Sequence, residues 1–232
     1  MVALISGAGR GIGKMVALAL AEKGCNLALA ARTTGDLEKL KSQINVAFPN
    51  IKVFIQSVDF ADKAQIENFN KMVKQQFGNI QIIVNNVGAY NYGNFESESD
   101  NTLEEMLAIN TKAPYYLTKF WLQDFKDQKA GFIFNILSIL SKNIRKDAFS
   151  YTISKQATYA FHKLLVEELR MFEVKVTAII PGSVNTSSWD GINAPVLEFV
   201  QPCDISNAII MCLNSSEHAY FEEIIVKPTI HE

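Results

Sequence analysis

Val2-Ala3-Leu4-Ile5-Ser6-Gly7-Ala8-Gly9-Arg10-Gly11-Ile12-Gly13-Lys14 stands at the start of the chain. The run Val2–Ser6 reads as a buried strand, four glycines follow within seven residues, and a helical pattern then extends from Lys14 to Lys23. Glycine turns the backbone through positive φ and leaves no Cβ to block an approaching group. A helix N-terminus behind such a loop offers free N–H groups and the positive end of its dipole to phosphates. The spacing is Gly-x-x-x-Gly-x-Gly at Gly7, Gly11 and Gly13. The stricter G-x-G-x-x-G fingerprint fails because Ile12 or Lys14 stands at its third glycine, and no Gly-Lys-Ser/Thr follows to make a P-loop. The competing reading is a tight turn with no ligand.

Working outward, apolar β-branched runs recur at Asn26–Ala31, Ile51–Val58, Ile80–Val84, Phe132–Leu137, Val174–Ile180 and Ile224–Val226, with helical segments between most of them. Runs apolar on both faces suit parallel strands covered on both sides by helices. Gly24 follows the first helical pattern as a C-cap, Pro49 and Gly78 stop two further helices, and Pro181 ends the sixth strand. The expectation is a single α/β doubly wound domain of the Rossmann type over residues 1–232, with about seven parallel strands and helices on both faces. Ligands in such folds sit at the carboxyl ends of the strands.

Composition narrows the function. The 232 residues are 48% hydrophobic and 20% charged, which excludes a disordered chain. Lysine plus arginine (22) nearly balance the acids (24), which argues against a nucleic-acid partner. Cys25, Cys203 and Cys212 are too scattered for a disulfide framework or a zinc site, so a reducing, cytoplasmic compartment is expected and no metal. No apolar run reaches the length of a membrane span. Arg10 and Lys14 before an apolar stretch imitate a signal peptide, but the Ala17-Leu18-Ala19 box lies inside that stretch rather than after it.

The second strand ends at Arg32-Thr33, beside the adenosine ribose in folds of this type. An acidic residue there would hold the 2′-hydroxyl of NAD. Arg32 stands there instead, with Arg10 in the glycine loop, and only four arginines exist in the chain. The reading is a preference for NADP(H); ordinary surface arginines are the alternative.

Tyrosine and lysine four apart on a helix share a face. The cation lowers the phenol's pKa and makes it an acid/base near neutrality. Seven Tyr and 18 Lys give about half a chance occurrence of so loose a motif, yet three occur: Tyr115/Lys119, Tyr151/Lys155 and Tyr159/Lys163. Context selects Tyr151, because Ser138 closes the fifth strand 13 residues earlier. The residues 13 before the other two tyrosines, Thr102 and Lys146, close no strand. Asn85–Gly88 closes the fourth strand, Asp59 the third, and Asn110 follows the fourth.

Taken together, SGAGRGIG, Asp59, NNVG, Asn110, Ser138, YTISK and PGSVNT resemble the short-chain dehydrogenase/reductase family, most of all its single-domain members such as the 3-oxoacyl-acyl-carrier-protein reductases. The resemblance spans nearly the whole chain and spacing agrees best from Asn85 to Thr186. It implies Tyr151 as proton donor, Lys155 as the group that lowers its pKa and holds the nicotinamide ribose, Ser138 on the substrate oxygen, and Asn110 supporting a relay water beside Lys155. It implies cofactor contacts at Gly7, Gly9, Arg10, Gly11, Ile12 and Gly13, and at Arg32 and Thr33. Asp59 with its neighbour Phe60 would meet the adenine, Asn86 and Gly88 the adenosine ribose, and Pro181, Gly182, Val184 and Thr186 the carboxamide end. A substrate lid is placed at about 187–203, where Trp189 would touch substrate or anchor the loop.

The chain departs from the family pattern at Ser6, Val87, Leu137 and Thr177, and its end, Lys227–Glu232, lacks the usual glycine-rich tail. That end puts the usual tetramer contacts in doubt. His162, some 16 Å along the helix from Tyr151 at about 1.5 Å per residue, is expected to pack or face solvent. His218 and His231 are isolated, and Phe120, Trp121 and Phe125 read as core or interface. The reading is hydride transfer between NADP(H) and a small carbonyl or alcohol in a homodimer or homotetramer. Its rivals are a reductase of acyl-carrier thioesters, docked by Lys126, Lys129 and Arg170, and a dinucleotide-sensing protein without turnover.

Overall fold

Strands that are apolar on both faces need cover on both sides, and the chain supplies it. In the computed structural model, which describes residues 1–189, 191 and 194–229, the strands are β1 (Val2–Ser6), β2 (Asn26–Ala31), β3 (Val53–Ser57), β4 (Ile82–Asn85), β5 (Gly131–Ile136), β6 (Val174–Pro181) and β7 (Glu223–Val226). The helices are α1 (Gly11–Glu22), α2 (Thr34–Ala47), α3 (Lys63–Phe77), α4 (Thr102–Leu107), α5 (Ala113–Gln128), α6 (Phe149–Leu169) and α7 (Pro202–Asn214). All seven strands are parallel, in the order β3-β2-β1-β4-β5-β6-β7. This is the doubly wound, Rossmann-type α/β domain expected from the alternation.

Each face of the sheet carries its own core. Val16, Leu20, Leu37, Leu40, Ile205 and Ile209 of α1, α2 and α7 fill one. Ile66, Phe69, Leu117, Trp121, Phe125 and Leu165 of α3, α5 and α6 fill the other. Trp121 and Phe125 are therefore core, and only Phe120 of that aromatic stripe is half-buried. The strand order reverses between β1 and β4, so helices leave the sheet in opposite directions there and a crevice opens at the carboxyl ends. Ser6 and Asn85 close the two strands at that point.

Several boundaries differ from expectation by one to three residues, β4 starting at Ile82 rather than Ile80 among them. Helix α1 starts at Gly11 rather than Lys14, with Arg10 extended as its N-cap, so the end of the glycine loop is itself the first helical turn. Strand β3 starts at Val53 because Ile51 belongs to a turn closed on the Phe48 carbonyl. A π-turn, Ala108–Lys112, that no periodicity signals joins α4 to α5. Among the described residues no helix is long and apolar enough to cross a membrane.

Candidate active site

A cleft of about 400 Å³ lies along the carboxyl ends of the strands. At one end it is walled by backbone. Gly7 (φ +66°) and Gly11 (φ +54°) adopt the left-handed conformation that favours glycine, and both line the cleft. Gly13 does not line it. A Cβ there would lie 2.3 Å from the Gly7 carbonyl oxygen, so this glycine lets α1 pack under the loop. No side chain caps α1, and its first turn holds no acidic residue, so its leading N–H groups remain available to an anion. Ser6 Oγ accepts from the amides of Asn86 and Val87 at 3.1 Å each, which ties the loop after β4 to β1. The Asn86 side chain donates to the Ser6 and Gly7 carbonyls at 2.9 and 3.0 Å, so Asn86 braces the glycine loop as well as lining the cleft.

Arg10, Arg32, Thr33, Asp59 and Phe60 line the same end, as expected. Asp36, one helical turn into α2, lines it too and was not singled out in the sequence. Its Cβ would stand 3.2 Å from a Cβ on Gly9. Its place four residues after Arg32 was the available signal.

The other end is built from side chains. Of the three Tyr-x-x-x-Lys pairs only Tyr151/Lys155 lines the cleft. Lys119 donates to the Tyr115 hydroxyl at 3.3 Å on the exposed face of α5, and Tyr159 donates to Glu223 at 2.6 Å beside the edge strand. Ser138 lies two residues past β5, at the head of the turn Ile139–Ser141, and also lines the cleft. Its Oγ accepts from the Leu140 amide at 3.2 Å, and its own amide donates to Ser141 Oγ at 3.3 Å, which fixes the turn. The Ser138 hydroxyl is near enough to the Tyr151 phenol to lower its pKa. Ile12, Gly88, Pro181, Gly182, Val184 and Thr186 complete the expected lining.

Burial pushes the Tyr151 phenol up to about 12, and the Ser138 hydroxyl offsets only part of that. Burial likewise pulls the Lys155 ammonium down to about 8. This corrects the expectation that Tyr151 sits below its free value. Lys155 Nζ donates to the Ile136 carbonyl at 3.2 Å and lies 5.8 Å from the centre of the Tyr151 ring, so loss of hydration outweighs its charge.

Asn110 sits in the π-turn behind the cleft wall, 2% exposed. Its Oδ1 accepts from the Ala89 amide at 2.8 Å, and its Nδ2 donates to the Ala89 carbonyl at 3.0 Å and to Ser154 Oγ at 2.9 Å. It thereby joins the loop after β4 to α6. A Cβ on Gly88 would lie 3.4 Å from Asn110 Oδ1 and 3.6 Å from Lys155 Nζ, which places Asn110 and Lys155 side by side across that glycine.

Three further residues order this end and have no sequence signal. Tyr90 meets Tyr151 edge to face, ring centres 4.9 Å apart. Arg145 lines the wall and is held by Asp147 at 2.7 Å. The Glu98 carboxylate accepts from the Ser150 amide and hydroxyl in the first turn of α6, one residue before Tyr151. An acid at that point favours the helix N-terminus and fixes where α6 begins.

Trp189 anchors its loop, donating to the Val184 carbonyl at 3.0 Å and packing on Phe199, and it also lines the cleft. Residues 190, 192 and 193 of the expected lid, and His231 with the rest of 230–232, lie outside the described residues. His162 is fully buried against Asn135, and burial pulls it down to about 4, so it is a packed neutral ring. Lys126 and Arg170, the expected docking cations, pair with Glu168 and Glu167.

Known proteins share this fold. The family model described as short chain dehydrogenase matches residues 1–196. An uncharacterized oxidoreductase of Staphylococcus aureus (strain MRSA252) is 30% identical over 227 residues, covering 98% of this chain and 96% of that relative. Among solved structures, an alcohol dehydrogenase from the archaeon Thermococcus sibiricus, complexed with 5-hydroxy-NADP, superposes with a TM-score of 0.92 at 27% identity, covering 100% of this chain and 97% of that one. A metagenomic short-chain oxidoreductase in complex with NADP gives a TM-score of 0.87 at 27% identity, covering 100% and 98%. With that match over most of its length, on a cleft that joins a glycine loop to Ser138, Tyr151 and Lys155, the chain belongs to the short-chain dehydrogenase family of oxidoreductases.

Proposed function

We propose that the protein is an NADPH-dependent carbonyl reductase, acting in reverse as an alcohol dehydrogenase. One observation carries the reading: Ser138, Tyr151 and Lys155 meet in the same cleft as the glycine loop and the uncapped start of α1. The residues present fit a dinucleotide. Gly7 and Gly11 present bare backbone to the cleft, the α1 amides suit a pyrophosphate, and Arg10 and Arg32 suit a 2′-phosphate. The neighbours bound to NADP and 5-hydroxy-NADP support the same choice.

The bound nicotinamide supplies the hydride. The chain does the rest. Ser138 donates to the carbonyl oxygen and so polarises it. Tyr151 gives its proton to that oxygen. The Lys155 ammonium favours the phenolate left behind and holds the nicotinamide ribose. Asn110 keeps the backbone at Gly88–Ala89 and the Ser154 turn of α6 in register, and supports the water through which Lys155 passes protons. We place the substrate lid at about 187–203, with Trp189 in the cleft wall. Exposed Tyr115 on α5 and Leu164 on α6 support assembly of two or four copies.

The test is a panel of aldehydes and ketones followed by NADPH absorbance. Turnover of at least one, with NADPH favoured over NADH, is the expected result. A stoichiometric cofactor that no carbonyl in the panel oxidises would favour a dinucleotide-sensing protein instead.

A further inference from the structure

Beyond Ser138, Tyr151 and Lys155, the substrate end of the cleft has a largely apolar wall that carries one further charge. Tyr90, Ile139, Leu140, Val184 and Trp189 line it, and so does the Arg145 guanidinium. Arg145 is one of only four arginines in the chain. The other two that line the cleft, Arg10 and Arg32, stand at the adenosine end. The carboxylates in the wall, Asp36 and Asp59, stand there too, so among the described residues none faces Arg145 across the substrate end.

The partner of Arg145 is behind it. Asp147 accepts from Nε at 2.7 Å and from Nη2 at 3.2 Å, and Asp147 is not part of the wall. That pairing uses one edge of the guanidinium. The Nη1/Nη2 edge keeps two roughly parallel N–H groups, the fork that matches a carboxylate in a bidentate contact. Asp147 thus fixes the orientation of the plane without occupying the edge that remains. Tyr90 and Tyr92 are close enough to feel the Arg145 charge, and Tyr90, which lines the cleft with Arg145, packs directly on Tyr151. The cation and the group that would protonate the carbonyl oxygen therefore share one wall, with Tyr90 in contact with the latter.

We propose that Arg145 makes this cleft selective for carbonyl substrates whose chain ends in a carboxylate: oxo acids in reduction, hydroxy acids in oxidation. The proposal rests on the carbonyl-reductase reading and names its substrate class. The step balances as before: a hydride adds to the carbonyl carbon, a proton adds to its oxygen, and the carboxylate is unchanged. Arg145 touches the end of the substrate that does not react, so it is a specificity residue.

The experiment compares straight-chain 3-, 4-, 5- and 6-oxo acids with their methyl esters, in wild type, Arg145→Lys and Arg145→Met. Arg145 is half-exposed and already shares its charge with Asp147, so the lower end of the range for a charged hydrogen bond applies, about 10-fold. At the chain length that spans the cleft, kcat/KM should favour the acid over its ester by about that factor, and Arg145→Met should bring the ratio to about one. Arg145→Lys should retain part of it. Binding of the same acids and esters, measured by tryptophan fluorescence with the oxidised cofactor present, gives a readout independent of turnover. If acids bind more tightly than esters and Arg145→Met removes the difference while nothing is reduced, the specificity stands and the reductase reading fails. Esters equal to or better than acids at every chain length, or an Arg145→Met variant that loses acid and ester equally, would overturn the proposal.

Discussion

The two ends of the cleft are built by different means. At the β1–α1 end the groups that face the cleft are largely backbone: glycine turns at Gly7 and Gly11 and the open N–H groups of α1. At the β5–α6 end they are individual side chains, Ser138, Tyr151 and Lys155, and burial pushes the Tyr151 phenol up to about 12 and pulls the Lys155 ammonium down to about 8. Backbone donors come in sets and cannot be removed one at a time, so that end should respond to side-chain substitution in graded steps. A buried proton donor has no duplicate, so the other end should fail all at once. The most severe test of this contrast is Tyr151→Phe. Removing the phenolic hydroxyl and keeping the ring against Tyr90 should leave cofactor affinity intact and lower kcat by about 10²–10⁴-fold. A purified variant with near-normal kcat would break the contrast and return Tyr115 and Tyr159 to consideration.

The next test uses pH. A phenol near 12 is a weak acid at neutrality, and it needs the Lys155 ammonium to favour the phenolate it becomes. Lys155 carries that charge below about pH 8 and loses it above. The sign follows: kcat for reduction should be level below about pH 8 and then fall, by about tenfold per unit at its steepest. Lys155→Met should be slow at every pH and lack this limb. The measurement is kcat from pH 6 to 10, with a deuterium effect from labelled NADPH to establish that chemistry limits the rate. A level profile to pH 10 in wild type would show that Tyr151 donates without help from that charge.

The same contrast explains what the sequence disclosed. Strand–glycine loop–helix is a local unit, legible because Val2–Ser6, the glycines and the helical pattern are consecutive. The parallel strands were legible because a strand buried on both faces must be apolar throughout. Ser138 and Tyr151 were legible through a strand end and a fixed offset of 13 residues. The rest depends on residues brought together from afar. Glu98 meets Ser150 and Tyr90 meets Tyr151 across more than 50 residues, and no local pattern links them. The π-turn around Asn110 follows from the packing of α4 and α5 on α6, since Asn110 and Thr111 bond to Ser154. The direction of the Tyr151 shift failed because a four-residue spacing reports which side chains share a helix face and says nothing of hydration. Lys155 instead donates to Ile136, a residue of β5.

The mildest test concerns Arg32, the side chain at the backbone-built end on which cofactor choice should depend. Arg32 is exposed at the end of β2 and lines the cleft together with Arg10 and Asp36. A guanidinium on a 2′-phosphate is a charge-assisted contact, typically about 1.5–3 kcal/mol. Three features of this site reduce that figure. Arg32 is open to solvent, which screens it. Arg10 can take up part of the phosphate. The Asp36 carboxylate, beside Gly9 in the same wall, opposes an added negative charge. Arg32→Ala should therefore weaken NADPH binding by about 10-fold, the low end of the range. NADH has no phosphate there and should bind as before. Arg10→Ala combined with Arg32→Ala should cost more than either alone, and Asp36→Asn should move the preference further toward NADPH. Titration of both cofactors against these variants is the measurement. Equal affinities of wild type for NADPH and NADH, or equal losses of both in Arg32→Ala, would mean that the arginine serves the fold and that the phosphate is not what it meets.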